Sequence, residues 1–276
     1  MKTIILTGAS AIALAISGSV AAQDTAARLN PGIAACVGNG GGNCSDVSQT
    51  GNRGTVDVTQ NGSGGSTSEI DQAGTDNTAI VTQTNNGGAA NESEVAQTGD
   101  ASDATADVEQ IGEGNLSSIT QRGDDITADV EQDGVANSSN VLQTASADFA
   151  STIVKQNGAQ NTSGVTQTGD FAAVTVTQSN EDGAVGNNSL VSQTGNAAFV
   201  IVTQSGEQNI SDVGQTADAA TVTIDQNGVG NRSLVDQAGS LVIVDVDQTG
   251  EANISTVDQL AGGAFAQVEQ EGDRNR

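Results

Sequence analysis

The sequence predicts an all-β protein, a β-solenoid with two strands in each 22–26 residue coil and about ten coils. Three observations carry that prediction. A glutamine recurs at near-constant spacing from residue 49 to residue 270. The residues fixed in phase with it fall two apart, the period that places side chains on one face of a strand. The chain also lacks the large fillers of an ordinary core, with no Trp or Tyr and only four Phe.

The N-terminus reads first. Lys2, an apolar run over residues 4–16 and the small residues Val20, Ala21 and Ala22 have the layout of a secretory signal peptide over residues 1–22, cleaved after Ala22. The run is too short to span a bilayer. Residues 23–42 carry no repeat. Cys36 and Cys44 are a candidate disulfide, closing a short loop in an oxidising compartment. Two free thiols are the alternative. No His or third Cys completes a metal site.

The solenoid is expected over residues 43–276. Its glutamines are Gln49, Gln60, Gln72, Gln83, Gln97, Gln110, Gln121, Gln132, Gln143, Gln156, Gln167, Gln178, Gln193, Gln204, Gln215, Gln226, Gln237, Gln248, Gln259 and Gln270. Most gaps are 11 residues and the rest 12 to 15. Two half-repeats alternate. The first reads Asn-x-Ser-x-Val-x-Gln. Six before its Gln stand Asn43, Ser66, Asn91, Asn115, Asn137, Asn161, Asn187, Asn209, Asn231 and Asn253. Four before stand Ser45, Ser68, Ser93, Ser117, Ser139, Ser163, Ser189, Ser211, Ser233 and Ser255, and two before always Val or Ile. The second half-repeat places Val or Ile two before its Gln, from Val58 to Val268, and Val, Ala or Thr four before. Fixed positions face inward and variable ones outward. Turns such as Asn61-Gly62, Asn157-Gly158 and Asn227-Gly228 follow the glutamines, with Gly expected to supply positive φ. Length variation falls in turns, as between Gln83 and Asn91 or Gln178 and Asn187.

One coil per layer sets layers about 4.8 Å apart and makes a rod of roughly 45–50 Å. Valines then stack on valines. Each inward Gln and Asn amide is expected to donate to the amide of one neighbouring layer and accept from the other, the ladder that runs through amyloid. Such a stack is self-satisfying and open-ended. Gln270, Gly272 and Asn275 begin an eleventh repeat without an evident cap, and open matching ends suit filament growth.

The segment Gln226-Asn227-Gly228-Val229-Gly230-Asn231-Arg232-Ser233-Leu234-Val235-Asp236-Gln237 resembles the curlin repeat of bacterial curli subunits. The family more often carries Ala at the place of Ser233 and about five repeats. Its serine in the other strand, six before Gln, is here mostly alanine (Ala104, Ala150, Ala172, Ala198, Ala220, Ala264). The resemblance implies a structural subunit of extracellular fibres on the bacterial surface, exported through the periplasm and serving adhesion and biofilm matrix. It implies a homopolymer, with a nucleator subunit and an outer-membrane export pore as partners, and an export-guiding role for residues 23–42. An accessory or nucleator rank is the alternative.

Charge and motifs exclude other classes. A net charge of −26 opposes nucleic acid and anionic membranes. No His, nucleophile arrangement or isolated carboxylate pair supports catalysis, and no cofactor is expected. The Asn-x-Ser triplets read as ladder positions rather than glycosylation sites. The Gly-Gly-x-Gly-x-Asp signature of calcium-binding repeats is absent. Outward acids such as Asp57, Asp107, Asp129, Asp225 and Asp245 read as gatekeepers against aggregation. Two rivals are an ice-binding solenoid, hinted at by Thr175-Val176-Thr177 and Thr221-Val222-Thr223, and a monomeric stalk or adhesin.

Overall fold

A computed structural model describes residues 2–7, 11–17, 42–99, 101–181 and 183–276. The expected cleavage site after Ala22, Cys36 and residues 23–41 lie outside the described residues. Strands β1 (Lys2–Thr7) and β2 (Ala11–Ser17) pair as an antiparallel hairpin. Residues 14–17 of β2 then pair in parallel with residues 56–59. The backbone of the expected leader thus lies along one sheet edge.

From Cys44 the chain alternates between two sheets, starting with β3 (Cys44–Gln49) and β4 (Thr55–Gly62) and ending with β21 (Ile254–Gln259) and β22 (Phe265–Glu271). The odd-numbered strands form a ten-stranded sheet. The even-numbered strands, with the N-terminal hairpin, form a twelve-stranded one. Every pairing after β2 is parallel and joins strands two apart in sequence. The protein is therefore a two-sheet β-solenoid of ten layers, with no helix among the described residues.

Register follows the glutamines. Between β9 (Leu116–Gln121) and β11 (Ser138–Gln143), Ser117 faces Ser139, Ile119 faces Val141 and Gln121 faces Gln143. Between β8 (Thr105–Glu113) and β10 (Thr127–Val135), Val108 faces Val130 and Gln110 faces Gln132. Alternate residues of the strands between the end layers are buried, and a slip by one would turn the valines outward. The core is a thin column of Val, Ile and Ala running through all the layers, as in Ile119, Val130 and Val141, each with no exposed surface. Sheets this close leave no inner volume for an aromatic ring, and all four Phe are exposed. The alanines six before the even-strand Gln are buried too, except Ala264 in the last layer, which is half-buried. Ala104 and Ala150 pack with Ala101, Ile126 and Ala147 into a separate apolar cluster at one corner.

The turns depart from expectation in one respect. Gly134 has φ 127°, and a Cβ there would lie 2.0 Å from the Gly158 carbonyl oxygen, so both dihedral and layer spacing demand glycine. Yet fourteen non-glycine residues also have positive φ. They include Ala136 (57°), Ala252 (54°), Phe149 (56°) and Phe171 (53°). Gly51, in the turn that follows Gln49, is not among the residues with positive φ. A Cβ there would sit 2.0 Å from the Gly74 oxygen, so close stacking is what requires glycine.

Candidate functional site: the amide ladders and the ends of the rod

The inward glutamines form two columns, one on each sheet. In the even-sheet column Gln110 Nε2 donates to Gln132 Oε1, and Gln132 Nε2 to Gln156 Oε1, each at 2.8 Å. Rungs run in this way from Gln60 through Gln178, Gln226 and Gln248 to Gln270. In the odd-sheet column they run from Gln49 through Gln121, Gln143, Gln167 and Gln215 to Gln237, at 2.7–3.0 Å. The second Nε2 proton crosses the core. Gln132 donates it to Leu116 O in the facing sheet at 2.9 Å, and Gln143 to Thr127 O at 2.9 Å. Where it is made, that cross-sheet bond fixes which way the amide points, because a carbonyl oxygen could not take the Nε2 place.

Asparagines form the expected side-chain ladder only over Asn137, Asn161 and Asn187, and elsewhere bond the backbone of the next layer. Asn137 Oδ1 accepts the backbone N–H of Asn161 at 3.0 Å, and its Nδ2 donates to Gly158 O at 3.0 Å. Asn115, Asn209, Asn231 and Asn253 repeat both bonds with the next layer. Asn161 gives its Oδ1 to the N–H of Asn187. Asn43 Oδ1 accepts the Ser66 N–H, and its Nδ2 donates to Gln60 O. Asn stands in the turn just before nine of the ten odd strands, where its short amide mainly reaches backbone. An amide-to-amide ladder survives only in the middle layers, where Asn161 Nδ2 donates to Asn137 Oδ1 at 3.2 Å and Asn187 Nδ2 to Asn161 Oδ1 at 3.3 Å. These residues stitch the turns of successive layers.

The serine column is loosely bonded. Ser211 donates to Ser189 at 3.1 Å and Ser255 to Ser233 at 3.2 Å. The buried hydroxyl oxygens of Ser45, Ser117, Ser139 and Ser163 have no hydrogen-bond partner. A further polar column escaped the sequence reading. The Oδ1 atoms of Asp124, Asp148, Asp170, Asn196 and Asp218 each accept a backbone N–H from the preceding layer, at 2.8–3.1 Å. They stand eight before the even-strand Gln. Aligning that position would have revealed them.

The ladders are directional. In every rung Nε2 belongs to the N-terminal layer and Oε1 to the next. At the N-terminal end Gln49 Oε1 and Gln60 Oε1 are buried and unpartnered. At the other end Gln270 Nε2 bonds only Ile254 O, and the odd column stops at Gln237, with no rung to Gln259. The last inward residues, Ala266, Val268 and Gln270, are only half-buried, as are Val47 and Gln49 in β3. Cys44 opens β3 and is disulfide-bonded.

Outward carboxyls stack as well. Burial, with the nearby charges of Asp129 and Glu109, raises the pKa of Asp107 above the ordinary aspartate value. Asp129 is raised by burial despite Lys155, and Asp225 by burial and Asp247. Lys155 pairs with Glu131 at 2.6 Å, and Arg53 with Asp76. No helix among the described residues is long and apolar enough to cross a membrane.

Residues 101–134 match the family model of the Curlin associated repeat. That stretch holds β8, β9 and most of β10, so it spans about one and a half of the ten coils. The repeat is a structural rather than catalytic unit. No curated protein matches the chain.

Proposed function

We propose that this curlin-repeat protein is a structural subunit of extracellular curli-like fibres, assembling head to tail for adhesion and biofilm matrix. The observation that carries the reading is the polarity of the ladders. In the even-sheet column one end of the rod has an unpartnered Oε1, that of Gln60, and the other an Nε2 without a rung, that of Gln270. Head-to-tail stacking sets Gln270 and Gln259 of one copy against Gln60 and Gln49 of the next. Head-to-head stacking opposes oxygen to oxygen. The contact is heterologous and does not close, so it propagates.

Secretion completes the scheme. In the full chain β2 lies along β4, the even-sheet edge that an incoming copy would use. Removal of residues 1–22 by signal peptidase frees that edge. Export through the periplasm and an outer-membrane pore, guidance by residues 23–42, and a nucleator partner follow from the curlin likeness. Cys36 and Cys44 are proposed as the disulfide pair, a loop-closing bond of the oxidising compartment. Non-reducing peptide mass mapping is expected to find the cross-linked peptide, and two alkylated thiols would refute the pairing.

The test is assembly of the mature chain, residues 23–276. Soluble protein is expected to convert to fibres that bind thioflavin T and diffract at the strand spacing of about 4.8 Å along the fibre axis. Protein that stays monomeric for weeks with seeds sinks the assembly reading and leaves the solenoid standing.

A further inference from the structure

We infer that the outer face of the odd-numbered sheet in its four middle strands is a lateral contact between two filaments, its occupant a second copy of this chain. The inference rests on the fibre reading and adds the surface by which fibres pair.

The strands are β9, β11, β13 (Thr162–Gln167) and β15 (Asn188–Gln193). Their outward positions hold Leu, Ser, Thr, Asn and Gly, and no charged residue. Elsewhere charged residues, mostly acids, interrupt the sheet faces at shorter intervals. On the odd sheet, Glu92 and Glu94 stand just before this tract and Asp212 just after. Among the described even-sheet strands from β4 to β22 the longest uncharged outward run is two layers. For a chain of net charge −26, close approach of two copies is opposed by repulsion wherever acids line the face. This tract is the longest stretch of either face free of it.

The relief suits a β-face partner. Gly164 leaves a shallow depression of about 350 Å³, walled by Leu142, Asn140 and Leu190. Leu190 stands beside it at 50 % exposure, and Leu116, elsewhere on the tract, is 45 % exposed. A flat sheet with small polar residues, a dent and protruding leucines is the surface that interdigitates with another such sheet. The tract carries no aromatic ring on which a sugar would stack.

Size decides when the contact forms. Four layers at about 4.8 Å, crossed by a strand of about 20 Å, offer about 400 Å² per copy. A stable complex buries about 800 Å² per partner. Free monomers therefore do not dimerise through this face. A fibre repeats it once per subunit, and the repeats act together.

The test compares fibres of the mature chain with those of the double variant Asn140→Asp, Leu190→Glu, and with the control Thr175→Glu, Thr203→Glu on the other sheet. Electron microscopy is expected to show paired or bundled filaments for the parent and the control, and single filaments for the double variant. Elongation rates followed by thioflavin T are expected to agree within about twofold, because the ends are untouched. Raising salt is expected to increase pairing in the parent, since the flanking acids are then screened. Single filaments in the parent, or undiminished bundling in the double variant, would overturn the contact. Bundling that needs added neutral polysaccharide would reassign the face to a glycan and overturn it too. Absence of any fibre in the parent would refute assembly itself, and this contact with it.

Discussion

At the scale of single residues, glutamine and serine share the interior but do different things there. Gln132 accepts one bond and donates two, all buried. Truncating it takes the donor from Gln156 Oε1 and from the Leu116 carbonyl, and leaves Gln110 Nε2 with only its bond to Glu92 O. With each unsatisfied buried group costing about 1–3 kcal/mol, Gln132→Ala is expected to lose about 3–5 kcal/mol. Ser139 and Ser163 have no partner to lose. Ser139→Ala and Ser163→Ala are expected to be neutral or to stabilise by up to about 1 kcal/mol. Urea unfolding of soluble monomer measures both, and equal losses for Gln and Ser variants would sink the ladder account. Backbone makes a second residue-scale prediction. Ala136 and Ala252 hold φ of 57° and 54°, in the left-handed region that costs a Cβ-bearing residue about 1 kcal/mol. The same turn position carries glycine at Gly114 and Gly230. Ala136→Gly and Ala252→Gly are each expected to gain several tenths of a kcal/mol, read as a rise in the urea midpoint. The positions of Gln, Ser and Val were legible in sequence because the solenoid imposes one requirement ten times. The left-handed Phe149 and Phe171 were not, since the dihedral there is imposed by layer stacking and no local preference announces it.

At the scale of elements, a parallel in-register sheet places like residues one layer apart, favourably for amides and unfavourably for carboxylates. In β8 and β10, Asp107 lies over Asp129 and Glu109 over Glu131, with Lys155 next above Glu131. Burial first, and neighbouring acids second, raise the pKa of Asp107, and burial raises that of Asp129. The sign follows from linkage. A carboxyl whose folded pKa exceeds its unfolded value favours the fold below the unfolded value, and that favour is lost as pH rises through the folded one. The solenoid is therefore expected to gain stability on acidification from neutral toward pH 4, with the gain reduced in Asp107→Asn, Asp129→Asn. Hydrogen exchange of β8 and β10 amides across that range checks it, and an unchanged pH response in the double variant would rule these two out. The gatekeeper reading of these acids explains their place outside but did not foresee their coupling, which depends on register. Sequence reasoning likewise placed the asparagines correctly but foresaw only the lesser of their partners, the amide-to-amide bonds that join Asn137, Asn161 and Asn187. A side chain one bond shorter than Gln, standing in a turn, meets the backbone of the next layer, as Asn137 meets Asn161 N–H and Gly158 O.

At the scale of the whole molecule, the two ends differ, and that difference can be tested without seeing the interface. Amide polarity has no signature in sequence, because Gln carries its oxygen and nitrogen on the same carbon. It emerges only once the cross-sheet bonds fix the amides that make them. The C-terminal layer presents Val268 and Ala266 half-buried against the core, with Gln270 beside them. Val268→Lys sets a charge where the next copy's Val58 must stack, while leaving β3 and β4 at the other end intact. Such a chain should add to the C-terminal face of a growing filament through its own N-terminal layer and then stop growth there. Seeded elongation with a tenfold excess of parent monomer over Val268→Lys is expected to plateau early with short filaments. The equivalent change Val58→Lys alters the joining face instead, so that chain cannot add to a C-terminal face. It is expected to leave C-terminal growth of the parent at nearly full length. Circular dichroism of both soluble variants establishes that each remains a solenoid. Equal termination by the two variants, or none by either, would mean that growth does not run head to tail along the amide ladders.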